Sequence, residues 1–201
     1  MVTKKDFLDA MKFRHACKFF DDKKKVKKAD QNYILELGRL SPSSMGLEQW
    51  TFLVIEDKKK NLQLQDACYN QKQVGTASFN VIILAKVNEL KPGSKYIEKI
   101  MHRFGETKEK RKTYYRDFYN SISDLKNWSI AQGHIAAANM MTGAAFIKID
   151  SCPIGGFEPD KVKKMLKIKN QEIALIVCFG YRIKKAPKKI RLSFDEVVRF
   201  N

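Results

Sequence analysis

Apolar and polar positions along the chain fall into alternating helical and extended stretches. Lys4 to Phe13 has the spacing of a short amphipathic helix. Val26 to Leu40 predicts a stronger one, in which Asp30 can cap the start and Ile34, Leu37 and Leu40 share a face. Ser41-Pro42-Ser43-Ser44 ends it, because the residue before a proline is pushed out of the helical region. WTFLVI (50–55) and NVIILAKV (80–87) are continuous apolar runs bounded by polar residues, the pattern of strands buried on both faces. Asn61 to Tyr69 predicts a helix between them. Leu125 to Thr142 predicts a long Ala-rich helix in the core, and Phe146 to Asp150 a short strand ending in SCPIGGF (151–157). Pro159 suits the first turn of a helix reaching Ile168. IALIVCFGY (173–181) is the most β-like run of all.

Residues 86–116 interrupt this order, with ten Lys/Arg against four acids. Tyr114, Tyr115, Phe118 and Tyr119 follow at helix-like spacing. The stretch predicts an excursion of one or two surface helices at about 90–122, set on a single domain spanning 1–201. The chain has no internal repeat and no Gly/Ser/Pro-rich linker.

Composition narrows the class. A chain of 201 residues should bury roughly 70% of its unfolded surface without a staple. With 44% hydrophobic and 30% charged residues it is neither disordered nor a coiled coil. Lys and Arg number 39 against 22 Asp and Glu, a net charge of +17 that suits an acidic partner: nucleic acid, an anionic membrane or a phosphorylated small molecule. Cys17, Cys68, Cys152 and Cys178 are far apart, with no CxxC, and His15, His102 and His134 add no metal-ligand spacing. They read as separate thiols in a reducing cytoplasm. The charged start, Met1 to Asp6, is not followed by the apolar core of a signal peptide. Ala131 to Ile149 is broken by Gln132, His134, Asn139 and Lys148, which makes it a poor membrane span.

Three segments have a concrete chemical use. Arg14-His15-Ala16-Cys17-Lys18 sets two cations four apart after a helix, a planar fork and a point charge that suit a phosphate; the alternative is a pair of solvated surface cations. Pro153-Ile154-Gly155-Gly156-Phe157 lets a ligand approach free backbone N–H groups, or is an ordinary strand-to-helix turn. Lys189 and Arg191, two apart on an extended tail, point the same way and can hold a dianion; such a tail is also commonly a solvated arm. GxGxxG and GxxxxGK[ST] are both missing, so dinucleotide-fold and P-loop readings have no anchor.

In their order along the chain these segments resemble the nitroreductase family of FMN-dependent NAD(P)H oxidoreductases. The stretches that match are RHACKFFDD (14–22), ILELGRLSPSSMGLEQWTFLVIED (34–57), YNQKQVGTAS (69–78), the run from Trp128 to Phe157, and PKKIRL (187–192). The Arg-His-x-Cys-Lys and Ser-Cys-x-Ile-Gly-Gly-Phe variants look most like the epsilonproteobacterial, nitroimidazole-activating branch.

The resemblance implies an α+β layered fold with a mainly antiparallel sheet, its C-terminal segment extended onto the partner of a homodimer. It implies that Arg14 binds the FMN phosphate and that Lys18 lies by the flavin's N1 and O2 edge. His15 and Ala16 belong to the same segment, and Ala16 stands where the family usually has Ser. Pro42, Ser43, Ser44 and Gly46 match the loop that reaches the flavin from the partner subunit. Gly46 replaces the family's Asn, and Glu48-Gln49-Trp50 its Gln-Pro-Trp. Asn70 matches an amide at the flavin's polar edge. The family's Lys three positions on is Gln73 here, beside Lys72. Pro153, Ile154, Gly155 and Gly156 match the turn that meets flavin N5, and Lys189 with Arg191 completes the phosphate clamp. The implied chemistry is ping-pong, from NAD(P)H through the flavin to a nitro compound or quinone, and it needs no catalytic side-chain acid or base because the cofactor carries the difficult step. Cys152, three residues before Gly155, is either a small core residue or a thiol beside the flavin.

Two rival readings stand beside this one. A flavin or quinone reductase, or a reductive dehalogenase, could use the same scaffold. A basic nucleic-acid-binding protein would account for the charge, but the bases are spread over several segments and no nucleic-acid-binding motif occurs.

Overall fold

The computed structural model describes residues 3–201, and in it the apolar runs form a four-stranded antiparallel sheet. β1 (Trp50–Ile55), β2 (Phe79–Lys86), β3 (Asp150–Ile154) and β4 (Gln171–Gly180) lie in the order β1-β2-β4-β3. The helices are α1 (Lys4–Phe13), α2 (Lys28–Arg39), α3 (Lys58–Ala67), α4 (Lys72–Thr76), α5 (Lys95–His102), α6 (Lys108–Ser121), α7 (Leu125–Phe146), α8 (Pro159–Leu166) and α9 (Phe194–Val197).

The central strands are apolar on both sides because both sides are covered. Successive strand side chains point to opposite faces, so β2 sends Phe79, Val81, Ile83 and Ala85 into one apolar layer and Ile82 and Leu84 into the other. The first layer is closed by α2 and α7 through Ile34, Ala136, Ala137 and Met140. The second is closed by α3 and α8 through Leu64, Ala67 and Val162. Phe79 and Phe179 face each other across β2 and β4 and stack with centroids 4.9 Å apart. Opposite Ile83 and Leu84 the pairing skips Ala174, so β4 bulges there and both Ala174 and Leu175 join the α7 side.

Several boundaries differ from expectation. α2 starts at Lys28 behind Lys27, with Asp30 inside its first turn instead of at the cap; Leu40 is 63% exposed, and Gly38 takes a buried place on the helix. β1 is an edge strand with a partly exposed face, not one buried on both sides. The helix between β1 and β2 begins earlier, at Lys58, where Asp57 accepts from the Lys60 N–H, and a further short helix, α4, follows it. The expected strand over Phe146 to Asp150 is the end of α7 and its turn. The strand is Asp150–Ile154, so Pro153 and Ile154 lie within it. Proline fits because β3 is an edge strand.

The excursion holds more than surface helices. Leu47, Leu90, Ile97, Ile100, Met101 and Tyr115 form a buried apolar cluster of their own, with Phe118, Trp128 and Tyr119 packed around it. No helix among the described residues is long and apolar enough to cross a membrane.

The four cysteines, scattered in sequence, gather in one apolar layer. Cys152 and Cys178 are cross-strand partners, and all four side chains are buried and unbridged. Burial pushes the Cys17 thiol up to about 11 and that of Cys68 to about 12, and raises Cys152 and Cys178 as well. Thiol labelling of the folded protein at pH 8 should therefore modify none of the four, and all should react once it unfolds; prompt labelling of the native chain would contradict this packing. A second expectation concerns Gly133, where α7 crosses the β4 bulge. A Cβ there would stand 2.9 Å from the Ala174 Cβ and 3.1 Å from Ile83 Cγ2. Gly133→Ala should gain helix propensity of about 0.5–1 kcal/mol yet lose roughly 1–3 kcal/mol to overpacking. A net fall in melting temperature of a few degrees is expected, and a rise would show that α7 has room to move.

Candidate functional site

α1 stops at Phe13, and Arg14 turns the chain into extended conformation along the outer edge of β3. Ala16 bridges Ser151 in parallel, and the Cys17 N–H donates to the Ser151 carbonyl at 3.0 Å. Alternation along this segment buries Cys17 and leaves Ala16 and Lys18 exposed. The Lys18 Nζ lies 3.5 Å from Cys152 Sγ. Cys152 is thus both a buried core residue and a polar partner of Lys18. Burial keeps its thiol protonated, against the opposing pull of Lys18 and Gln73.

A polar chain links this point to the Gly-Gly turn. Gln73, rather than Lys72, faces inward: its Nε2 is 4.0 Å from Cys152 Sγ and donates to Gln71 Oε1 at 3.0 Å. Gln71 Nε2 in turn donates to the Gly156 carbonyl at 2.9 Å. Tyr69 and Asn70 make this possible by adopting left-handed backbone, φ 53° and 54°, which turns the chain sharply after α3. Asn70 is exposed beside the turn. Gly155 is open, since a Cβ there would meet nothing within 4 Å, whereas one at Gly156 would face Tyr69 and Gln71 at 3.6 Å. Pro153 is half-buried and Ile154 buried, both in β3.

The tail returns to the same edge. The Ile183 N–H donates to the Phe19 carbonyl, and Lys189 Nζ donates to the carbonyls of Met11 at 2.9 Å and Arg14 at 2.5 Å, capping the end of α1. Lys18 and the tail residues Lys184 and Lys185 line a cleft of about 220 Å³. Burial, Arg14 and Arg191 together hold the Lys189 ammonium below its usual pKa. Among the described residues no carboxylate pairs with Arg14, Lys18, Lys189 or Arg191. Two guanidinium groups beside the Lys189 ammonium, with no acid between them, suit a dianionic group. Arg191 itself turns its guanidinium back to the Ile190 carbonyl.

One buried carboxylate under this edge had no sequence signal. Asp150 pairs with Arg182, 2.6 Å from its guanidinium, and also accepts from the Arg182 N–H at 2.9 Å. The two residues are 32 apart in sequence, so no local spacing joins them. His15 Nδ1 is 3.6 Å from the same carboxylate, but burial and then Arg182 push the imidazole below its ordinary pKa. The ring is therefore neutral at pH 7, and Arg182 balances Asp150. Among the described residues no three His, Cys, Asp or Glu side chains converge as metal ligands.

Pro42, Ser43, Ser44 and Gly46 are not brought to the Arg14–Lys18 edge of their own chain. Pro42 is exposed, Ser43 Oγ accepts from the Glu48 N–H at 2.8 Å, and the Ser44 N–H donates to Gln132 of α7 at 2.9 Å. A wider groove of about 780 Å³ between α3 and α8 holds none of these residues.

Comparison with known proteins shows the family. The chain is 40% identical to a Staphylococcus haemolyticus protein named "Putative NAD(P)H nitroreductase", over 96% of each chain. It is 36% identical to a Bacillus subtilis protein of the same description, over 98% of each. A nitroreductase-like protein from Streptococcus mutans superimposes with a TM-score of 0.89 at 20% identity, over 99% of this chain and 100% of that one. A structure from Exiguobacterium sibiricum, titled as a complex with FMN, gives 0.82 at 22% identity, over 100% and 99%. The nitroreductase family model matches residues 11–181, and the chain belongs to that family.

Proposed function

We propose that the chain is an FMN-dependent oxidoreductase that carries electrons from NAD(P)H to nitroaromatic, nitroheterocyclic or quinone acceptors. The observation that carries this reading is the set of uncompensated cations, Arg14, Lys18 and Lys189, along one sheet edge beside an open Gly-Gly turn. Arg14, Lys189 and Arg191 would take the phosphate, with Arg191 swinging off its own carbonyl. His15 and Ala16 shape that segment, and Ala16 offers no hydroxyl to the phosphate. Lys18 would stand at the pyrimidine edge, and Asn70 would reach the same edge with its amide. Pro153 and Ile154, fixed in β3, would present the open Gly155-Gly156 backbone to the ring. When bound, the flavin would supply the two-electron chemistry of two separate half-reactions, one with the nicotinamide and one with the acceptor. Lys18, as a fixed cation at the pyrimidine edge, would favour negative charge there.

A homodimer belongs to this reading. The outer edge of β1 is unpaired by any strand among the described residues. The tail exposes Ile190, Leu192, Phe194, Val197 and Phe200, each 63% or more. An apolar tail and an open edge fit a strand exchanged between subunits, which would also bring Pro42, Ser43, Ser44 and Gly46 to the partner's flavin. A cytoplasmic location agrees with four unbridged thiols. The Arg-His-x-Cys-Lys and Ser-Cys-x-Ile-Gly-Gly-Phe variants support the nitroimidazole-activating branch as the place of this chain within the family.

Purified protein should be yellow, absorbing near ~450 nm as bound flavin does, and a protein that neither carries nor takes up FMN would end the reading. Lys189→Ala combined with Arg191→Ala should fold yet lose FMN. Charge-assisted hydrogen bonds are worth roughly 1.5–3 kcal/mol each, so affinity should fall at least about a hundredfold, measured by flavin fluorescence on titration. Lys18→Met should leave the fold intact and lower the two-electron potential of the bound flavin. An unchanged potential in a flavin-loaded variant would place Lys18 elsewhere.

A further inference from the structure

The segment Ser43–Glu48 is held in an unusual shape. Met45, Gly46 and Glu48 all have positive φ, at 56°, 64° and 47°. Two of the three carry side chains, and left-handed backbone is unfavourable for these unless the surroundings enforce it. Within the segment the N–H groups of Gly46, Leu47 and Glu48 donate to Ser43 O, Ser44 O and Ser43 Oγ. The outside force comes from α5 of the excursion. The Tyr96 hydroxyl is 2.7 Å from both the Leu47 and Glu48 carbonyls. The Arg103 guanidinium is 2.8 Å from Glu48 Oε1 and 3.1 Å from the Gly46 carbonyl. Leu47 is fully buried in the excursion's apolar cluster.

Two details indicate that this is a built clamp. Burial pushes the Tyr96 phenol up to about 12, so it remains a donor at any working pH. Its ring rests over the Lys86 ammonium, 4.9 Å away, and Lys86 is itself tied to Trp50 O and Thr51 Oγ1 at the sheet. Glu48 gives the guanidinium a hydrogen-bond acceptor from within the loop it holds.

We propose that Tyr96 and Arg103 are positioning residues, fixing the strained Ser43–Glu48 loop in the shape with which it meets the flavin of the partner subunit, so that the excursion governs how the cofactor and acceptor are gripped. This rests on the FMN reading above. The Arg103–Glu48 pair is exposed and contributes little to global stability, and loss of the one Tyr96 hydroxyl lowers the melting temperature by a few degrees at most, so the clamp should register in binding more than in melting temperature.

The test uses the full-length dimer and the variants Tyr96→Phe, Arg103→Met and both together. The double variant should melt close to wild type, bind FMN about tenfold more weakly, and raise KM for a nitro acceptor more than it lowers kcat. Amide hydrogen exchange at Gly46, Leu47 and Glu48 should quicken in step. Glu48→Gln, which keeps a hydrogen bond to Arg103, should recover most of the affinity that Glu48→Ala loses. Faster exchange with wild-type FMN affinity and KM would show a purely structural contact and overturn the proposal, as would affinity lost only in proportion to stability. Wild-type protein that takes up no FMN would overturn the FMN reading and this proposal together; FMN uptake with unaffected variants would overturn this proposal alone.

Discussion

β2 and β4 are apolar on both faces, and the rest of the chain is arranged to keep both faces dry. A sheet of this kind needs a helical layer on each side, which is why α7 and α2 close one face and α3 and α8 the other. α7 has the most demanding fit. Its small residues, Gly133, Ala136, Ala137 and Ala144, bring the helix axis close to the strands, and the bulge at Ala174 meets it at the tightest point. Large side chains on that helix face would lift it off the sheet and open the core.

With the centre closed, the candidate site lies at the sheet's margin. β3 is a short edge strand carrying a proline, and its outer side is covered by the Arg14–Lys18 segment rather than by a full strand. That cover serves two ends. It occupies part of an edge that would otherwise invite another chain, and it brings Lys18 to the polar chain of Cys152, Gln73 and Gln71. Asp150 and Arg182 bind β3 to the end of β4 beneath it, so the cations rest on a rigid support.

Elements written as unbroken apolar runs were legible in the sequence. WTFLVI, NVIILAKV and IALIVCFGY are β1, β2 and β4 nearly residue for residue, and the Ala-rich run is α7. Misreadings fell where local pattern and tertiary demand part company. Phe146 to Asp150 looks extended because β-branched and aromatic residues cluster there, yet the first of them completes α7 and the rest make its turn. Leu37 and Leu40 seemed to share a core face with Ile34, but Leu40 lies beyond the last helical turn. Of the candidate site, the cations and the Gly-Gly turn were visible as motifs and do meet at one edge. The Asp150–Arg182 pair and the Tyr96 and Arg103 contacts to the 43–48 loop were not, because each joins residues whose separation leaves no periodic trace.

Arg14, Lys189 and Arg191 repel one another on a chain that already carries +17. Dissolved ions act on such a protein in the reverse of the usual sense. Where surface ion pairs hold a fold, added salt weakens them; here it screens repulsion, over a range of about 8–10 Å at ordinary ionic strength. Dilute buffer is therefore the harsher condition for the ligand-free chain.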